Sequence, residues 1–226
     1  MLKTLLARFG LTRASLRERF FKRLARDWFL TPYLASDDRK MIVGTGDPVR
    51  SGAFFLALQQ LEAQKIDGAI AECGVYRGSL SRFLHALAPG RHLFLFDTFQ
   101  GFDPRDSHTA GDERFRDTSA EKVMQTIGDA RNVFIRKGFF PETAQGLEAE
   151  TFALVVVDFD KYEPIRAAIE FFYPRLTAGA YMFVHDYSNP ESDWAASRAL
   201  NEFLSGKPEK VITIPDAWGT AVIRKM

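Results

Sequence analysis

The chain has 226 residues, of which 46% are hydrophobic and 26% charged, and its formal net charge is +1. This length fits one domain with an N-terminal elaboration and is large enough to bury a sizeable core. A single cysteine excludes an internal disulfide and indicates a reducing compartment. No apolar stretch reaches the roughly 20 residues that span a bilayer. Because Arg8 interrupts the apolar run that a signal peptide needs, we expect a cytoplasmic protein.

Charge is unevenly distributed along the chain. Residues 1–26 carry a net charge of +7 and the remainder carries −6. Apolar residues recur among these bases at roughly helical spacing, namely Leu5, Leu6, Phe9, Leu16, Phe20, Phe21 and Leu24. The pattern predicts a basic amphipathic helical extension, placed over residues 1–50, ahead of the main domain at 51–226. We expect its apolar side to pack on the domain or on a second subunit of a homo-oligomer, with an anionic membrane surface as the alternative. Nucleic acid is not expected as a partner, because the body of the protein is acidic.

A glycine-containing turn follows the first predicted strand of the main domain. Residues 69–80 read AIAECGVYRGSL, so that Gly74 and Gly78 come after a short apolar run and Ser79 opens a helical pattern. Glycines let the backbone turn sharply and approach a ligand closely. The N-terminus of the helix that starts near Ser79 offers unpaired N–H groups to an anionic group. Asp97 ends the next apolar run, where an acid holds ribose hydroxyls in doubly wound sheets.

The spacing of the two glycines separates candidate ligands. A dinucleotide fingerprint has glycines two and then three residues apart, whereas Val75, Tyr76 and Arg77 fill the interval here and would obstruct a pyrophosphate. The pattern instead suits S-adenosylmethionine, with its amino-acid end against the glycines and its ribose on Asp97. A nicotinamide-binding oxidoreductase stays open as the alternative.

Strands and helices alternate from residue 70 onward. The predicted strands are 70–73, 92–97, 132–136, 152–158, 180–185, 210–215 and 220–224, and the predicted helices are 80–88, 119–128, 165–176 and 194–205. This alternation predicts right-handed crossovers and a mainly parallel sheet covered on both faces. The last two strands are joined by a short turn and should form an antiparallel hairpin at the sheet edge. The predicted fold is therefore α/β and Rossmann-like, the arrangement of class I methyltransferases.

Acidic residues and a histidine follow two neighbouring strands of this sheet. Asp158 and Asp160 come after one strand, and His185 and Asp186 end the next. Carboxyl ends of parallel strands meet at the edge where open α/β sheets bind ligands. Clustered carboxylates raise one another's pKa unless a cation is present, and oxygen-rich ligands suit Mg²⁺. Asp158, His185 and Asp186 are therefore predicted metal ligands; the alternative is that Asp158 only caps the loop and Asp160 starts a turn before Pro164.

Several motifs in the same order make the chain resemble the macrocin O-methyltransferase family from about residue 66 to 223. They are ECGVYRGS at 72–79, FDTFQGF at 96–102, DTS at 117–119, GFFPET at 138–143, DFDKY at 158–162 and VHDY at 184–187. The resemblance implies a class I methyltransferase that uses S-adenosylmethionine, usually with Mg²⁺, to methylate a hydroxyl of a sugar or related natural product. The acceptor would be a small hydroxylated molecule, whose identity the sequence does not give.

The resemblance also implies roles for individual residues. The cofactor would contact Glu72, Gly74, Tyr76, Gly78, Ser79, Asp97, Thr98, Ser119, Gly138, Phe139 and Asp158. Asp158 and Asp186 would bind the metal, and Asp160 is a candidate base. The chain departs from the family where His185 precedes Asp186, because two adjacent aspartates are usual there. His185 could ligate a metal through a neutral ring nitrogen, or it could be the base of a metal-free enzyme.

Overall fold

The computed structural model describes residues 35–106, 112–129 and 131–226. The helix predicted within residues 1–26 lies outside the described residues. The chain divides into two compact units, with the boundary between Phe55 and Leu56. The first contains helix α1 (Ser36–Gly44) and the start of helix α2 (Pro48–Ala63). Within the described chain, no helix is both long enough and apolar enough to cross a membrane.

The second unit is a seven-stranded sheet flanked by helices. Its strands are β1 (Ala69–Cys73), β2 (Leu93–Asp97), β3 (Val133–Lys137), β4 (Phe152–Val157), β5 (Leu176–Val184), β6 (Ile212–Ile214) and β7 (Thr220–Arg224), in the order β3-β2-β1-β4-β5-β7-β6. The connecting helices are α3 (Ser79–Leu87), α4 (Ala120–Ile127), α5 (Tyr162–Phe172) and α6 (Ala195–Leu204). The predicted Rossmann-like fold is confirmed.

Strand directions decide which loops share one edge of the sheet. Strands β1 to β5 run parallel, and β7 is antiparallel to both β5 and β6, with Val184 opposite Ala221. The predicted terminal hairpin is thus confirmed. Because β7 runs back from the carboxyl end of β5, the turn 215–219 lies beside the residues that follow β4 and β5. We call this edge, made of residues 158–160, 185–189 and 215–219, the rim.

The centre of the sheet is held by its apolar residues. All six residues of β4 and all five of β1 are buried, as expected for strands covered on both faces. Rings pack edge to face beside the sheet, with Phe172 5.6 Å from Phe96 and 4.9 Å from Phe152 between centroids. Each fully buried side chain of this kind contributes roughly 1.5–3 kcal/mol. This packing fixes the ends of β1 and β4, from which the site is built.

The largest boundary differences from the sequence-based prediction are at the end of α5 and the start of β5. Helix α5 ends at Phe172, a 3₁₀ turn follows at Tyr173–Arg175, and β5 already begins at Leu176. The predicted helix therefore runs four residues too far and the predicted strand starts four residues too late. Pro174 cannot continue an α-helix because it lacks an N–H. The early part of β5 contains Gly179, and glycine and alanine have low strand propensity.

Candidate active site

The loop after β1 packs directly on the end of β4. Gly74 has a φ of +88°, and a Cβ there would overlap the carbonyl oxygen of Asp158. Gly78 precedes α3 with a φ of +77°, and a Cβ there would lie 2.9 Å from Val123 Cγ1. Both positions therefore require glycine, because a side chain would be strained and would clash. Gly74 allows close contact with the backbone of Asp158, and Gly78 allows close contact with α4.

Glu72 lies inside β1 beneath this loop. It is buried, and Ser81 Oγ donates a hydrogen bond of 2.6 Å to its Oε2. Ser79, the first residue of α3, is exposed. Burial and the adjacent Glu72 raise the pKa of the Cys73 thiol, so Cys73 is a core residue and not a nucleophile.

Asp97 connects the end of β2 to the loop after β1, residues 74–78, which we call the glycine loop. Its Oδ2 accepts hydrogen bonds from the backbone N–H groups of Val75 (2.8 Å) and Tyr76 (3.0 Å), and its Oδ1 accepts one from Phe99 (2.7 Å). The Thr98 hydroxyl donates a hydrogen bond to the carbonyl oxygen of Gly101, three residues later in the same loop. A carboxylate has about four acceptor sites, so three protein donors leave Asp97 with roughly one more.

Residues 115–118 lie against the glycine loop. The Thr118 hydroxyl donates to the carbonyl oxygen of Tyr76, and Arg77 forms an ion pair with Asp117. The rings of Tyr76 and Phe115 meet edge to face with their centroids 5.2 Å apart. The glycine loop thus lies between the end of β4 and residues 115–118.

The remaining predicted cofactor residues follow β3 and precede α4. Gly138 has a φ of +139° and donates its N–H to the carbonyl oxygen of Asp97 at 3.0 Å. The guanidinium of Arg105 lies 4.0 Å above the ring of Phe139. Ser119 is the N-cap of α4, its hydroxyl accepting a backbone N–H of the first turn. These residues adjoin the end of β2 and form one side of the site.

At the rim, the structure brings together the acidic residues and the histidine. His185 Nδ1 lies 3.0 Å from Asp158 Oδ1 and 3.0 Å from Asp186 Oδ1. On the other side of the ring, Nε2 lies 3.8 Å from Oδ2 of Asp216, whose side chain is fully buried. The imidazole of His185 is therefore surrounded by three carboxylates.

Asp160 belongs to the same cluster. Its backbone is in the left-handed region, with a φ of +61°. Burial together with the charges of Asp158 and Asp186 raises the pKa of Asp160 to about 7, although Arg114 and His185 act in the opposite direction. A carboxyl group with this pKa exchanges its proton near neutral pH, which is the property required of a general base.

Two residues of the rim, Asn189 and Asp216, and a third that acts on it, Arg114, were not identified from the sequence. Asn189 donates a hydrogen bond of 2.9 Å from its side chain to Asp186 Oδ2. Asp216 accepts one of 2.5 Å from Thr220, and Arg114 acts electrostatically on Asp160. The hairpin topology could have placed Asp216 at the rim, because the turn returns to the end of β5. Nothing in the sequence pattern indicates Asn189 or Arg114.

The donor set of the rim does not fit the predicted metal. Over residues 35–106, 112–129 and 131–226, no group of three or more His, Cys, Asp or Glu side chains is arranged to hold a metal ion. The ring nitrogen of His185 itself lies between Asp158 and Asp186, at hydrogen-bond distance from both. The arrangement therefore does not support a Mg²⁺ site made of Asp158, His185 and Asp186.

This chain matches one family model and is similar to two curated O-methyltransferases. The family model described as Macrocin-O-methyltransferase (TylF) matches residues 49–207. A Streptomyces olivaceus protein, 8-demethyl-8-(2,3-dimethoxy-alpha-L-rhamnosyl)-tetracenomycin-C 4'-O-methyltransferase, is 26% identical over 56% of this chain and 55% of its own length. Demethyldecarbamoylnovobiocin O-methyltransferase from Streptomyces niveus is 24% identical over 58% and 56%. The chain thus spans about half the length of these curated relatives.

Solved structures agree with the fold. The O-methyltransferase NovP superposes with a TM-score of 0.67 at 21% identity, covering 79% of this chain and 80% of NovP. CalS11, a calicheamicin methyltransferase, superposes with a TM-score of 0.63 at 20% identity, covering 94% and 93%. Since the family match covers more than half of the residues and the fold is that of class I methyltransferases, this chain belongs to the macrocin O-methyltransferase (TylF) family.

Proposed function

We propose that the chain is an S-adenosylmethionine-dependent O-methyltransferase that methylates a hydroxyl of a sugar or related natural product. The observation that carries this proposal is the position of Asp160 beside the glycine loop. A carboxyl group with a pKa of about 7 lies at the rim, and Asp158, two residues earlier, is in direct backbone contact with that loop. Family membership supports methyl transfer as the reaction.

The cofactor proposal follows from the residues around the glycine loop. S-adenosylmethionine would lie over Gly74 and Gly78, with a ribose hydroxyl donating to the remaining acceptor site of Asp97. Ser119, Gly138 and Phe139 would form the side of the pocket towards β2 and β3. Two structural neighbours at TM-scores of 0.55 and 0.52, from Bacillus cereus and Podospora anserina, are complexes with S-adenosylhomocysteine. Their fold supports the same class of ligand for this chain.

The reaction requires little beyond alignment and removal of a proton. The sulfonium already activates the methyl group, so the protein must hold an acceptor oxygen in line with the carbon–sulfur bond. The acceptor O–H proton passes to the carboxylate of Asp160 as the oxygen–carbon bond forms. S-adenosylmethionine, when bound, would supply the activated methyl group, and its sulfonium would leave as the neutral thioether of S-adenosylhomocysteine. General-base assistance of this kind contributes typically 10²–10⁴-fold in rate.

His185 has a different proposed role from Asp160. Its Nδ1 is directed at two carboxylates and its Nε2 is within ion-pair distance of a third. A ring held in this way orients Asp158 and Asp186, so we assign it a positioning role. His185 as the base is the second candidate, favoured by its direct contact with Asp158 at the end of β4.

The proposal is tested by a methyl-transfer assay with hydroxylated acceptors, including phenyl α-L-rhamnopyranoside, phenols and lipid-linked sugars. Asp160→Asn should lower kcat by roughly 100-fold or more while S-adenosylhomocysteine binding stays close to wild type by calorimetry. His185→Asn should lower kcat less and shift the pH profile. Inactivity of His185→Asn beside an active Asp160→Asn would assign the base to His185. Binding of NADH, with no affinity for S-adenosylhomocysteine, would instead support the oxidoreductase alternative.

Metal assistance stays a prediction from the family resemblance and no step above depends on it. The same assay carried out in excess chelator distinguishes a metal-dependent reaction from a metal-free one. Unchanged turnover agrees with a metal-free reaction, and loss of turnover that added Mg²⁺ restores would require a metal site that the described side chains do not form.

A further inference from the structure

Two exposed tryptophans lie in or next to the rim, Trp218 in its turn 215–219 and Trp194 after residues 185–189. Trp194 is 47% exposed and Trp218 is 40% exposed, although large aromatic side chains are usually mostly buried. Neither residue has a part in the chemistry proposed above. Their position in the fold instead suggests a role in binding the acceptor.

Trp218 lies in the turn of the terminal hairpin, which returns to the carboxyl end of β5. The backbone N–H of Ser188 donates to the carbonyl oxygen of Trp218 at 2.9 Å. In the same turn, Asp216 approaches the imidazole of His185 to 3.8 Å. The turn that carries Trp218 is therefore in contact with Ser188 and close to His185 at the rim.

Trp194 is attached to the rim from the other side. Its backbone N–H donates to the carbonyl oxygen of Asn189 at 3.3 Å, and the Asn189 side chain donates to Asp186 Oδ2 at 2.9 Å. Asn189 is itself buried. The backbones of the two tryptophans thus bond to consecutive residues, Ser188 and Asn189, which are two and three residues after Asp186.

The backbone at Trp194 is held in an unfavourable conformation. Asp193 and Trp194 have φ values of +54° and +55°, in the left-handed region that favours glycine. Bulky residues in this region cost free energy and persist where the surrounding structure imposes them, often at binding sites. Here the hydrogen bond to Asn189 and the ion pair of Asp193 with Arg198 at 2.7 Å hold the turn.

We propose that Trp194 and Trp218 form the acceptor subsite and bind the pyranose ring of a glycoside through its C–H face. The inference rests on the proposed function and names its substrate class. An indole presents a flat, electron-rich apolar face, and the axial C–H groups of a sugar are its complement. Because both backbones bond to residues 188 and 189, a sugar on these tryptophans would lie at the rim, which also contains the proposed base Asp160. The rhamnosyl group in the name of the Streptomyces olivaceus relative belongs to this class.

The test compares Trp194→Gly, Trp218→Ala and Trp218→Phe in the full chain with phenyl α-L-rhamnopyranoside as acceptor. We expect Trp194→Gly and Trp218→Ala to raise KM for the rhamnoside roughly tenfold, with kcat changed less and S-adenosylhomocysteine affinity unchanged. Trp218→Phe should stay nearer to wild type because a ring is retained. Ile212→Ala is the matched control, since Ile212 is 71% exposed on β6 of the same hairpin and distant from its turn.

Trp194→Gly also separates a binding role from a structural one. Glycine suits a φ of +55°, so this variant should keep or raise the melting temperature while the KM for the rhamnoside rises. Saturation-transfer NMR with the rhamnoside measures ring contact without turnover, so it tests this subsite even if methyl transfer fails. Unchanged KM and unchanged ring saturation in both tryptophan variants would overturn the proposal. A change in oligomer mass with unchanged KM would assign the tryptophans to a subunit interface instead.

Discussion

The carboxylate of Asp97 contributes to the fold as well as to the proposed cofactor site. Three backbone N–H groups donate to it, two of them from the glycine loop. A change at Asp97 therefore acts on a ligand contact and on the position of the loop together. Hydrogen bonds to charged groups contribute more than neutral ones, roughly 1.5–3 kcal/mol each.

Asp97→Asn should weaken S-adenosylhomocysteine binding by roughly ten- to a hundredfold, because the amide retains only one acceptor oxygen and its N–H₂ group faces the loop donors. Calorimetry on the variant measures the loss. Asp117→Asn is the control, since Asp117 pairs with Arg77 on the exposed side of the same loop. Equal affinity in wild type and Asp97→Asn would remove Asp97 from the ribose assignment.

Asp160 makes the stability of the protein depend on pH. Its pKa is 3.8 in the unfolded reference and about 7 in the folded protein. The unfolded chain therefore loses this proton first, so stability that is fully present below pH 3.8 is lost as pH rises through about 7. Asp160→Asn removes this loss. The variant should be more stable than wild type at about pH 8, by on the order of 2 kcal/mol, and close to it at about pH 4.

Urea unfolding at both pH values measures this difference. Asp67→Asn is the matched control, because Asp67 is an exposed carboxyl that precedes β1, at the sheet edge opposite the rim. If the free energy of unfolding of the wild type does not fall relative to that of Asp160→Asn as pH rises, the raised pKa is contradicted.

At the scale of elements, the glycine loop depends on contact between β1 and β4. A Cβ at Gly74 would overlap the carbonyl oxygen of Asp158 at a φ of +88°. Gly74→Ala should therefore lower the free energy of unfolding by at least about 2 kcal/mol and displace the rim, so that cofactor affinity falls as well. Gly90→Ala, where a Cβ meets nothing within 4 Å, should change stability by less than about 0.5 kcal/mol. Thermal unfolding with and without S-adenosylhomocysteine compares the two variants.

Most strands and the hairpin could be predicted because each carries a local signal. Buried parallel strands such as β4 are uninterrupted apolar runs, and the turn at 215–219 sets apart the last two strands. The start of β5 could not be predicted, since Ala178 and Gly179 have low strand propensity and Leu176 is placed by its pairing with Phe152 of β4.

The site was predictable in its main residues but not in their arrangement. The ends of parallel strands place Asp158, His185 and Asp186 at one edge, which the sequence pattern indicates. Whether they hold a cation or one another depends on side-chain distances, and here the imidazole lies between the carboxylates. Asn189 was missed because its contact with Asp186 is made by a loop without a recognisable motif.

For the rim as a whole, His185 decides whether a metal is expected. His185→Asp replaces the imidazole by a carboxylate and recreates the adjacent aspartates of the family. We expect Mg²⁺ to raise the melting temperature of this variant, because oxygen ligands at clustered negative charge favour a hard cation. His185→Asn, which adds no charge, is the control. A Mg²⁺-dependent shift of the wild-type protein equal to that of His185→Asp would instead show that the imidazole already takes part in a metal site.

For the whole molecule, we propose that residues 1–50 form an extension of the methyltransferase domain at 51–226. The family match begins at residue 49, which supports this boundary. Residues 1–26 combine a charge of +7 with apolar residues at helical spacing, including Leu16, Phe20 and Leu24.

Changes at these three residues distinguish a role in subunit association from a role in membrane binding. If its apolar side joins subunits, the triple change of Leu16, Phe20 and Leu24 to serine should lower the oligomer mass measured by light scattering, because it removes apolar area from the interface. Changing Arg13, Arg17 and Lys22 to glutamine leaves that apolar side intact and should leave the mass unchanged. Both variants are also tested on vesicles that contain anionic lipid. A membrane role predicts the opposite pattern, in which the glutamine variant loses vesicle binding because each base near an anionic surface contributes about 1 kcal/mol, and neither variant changes the mass.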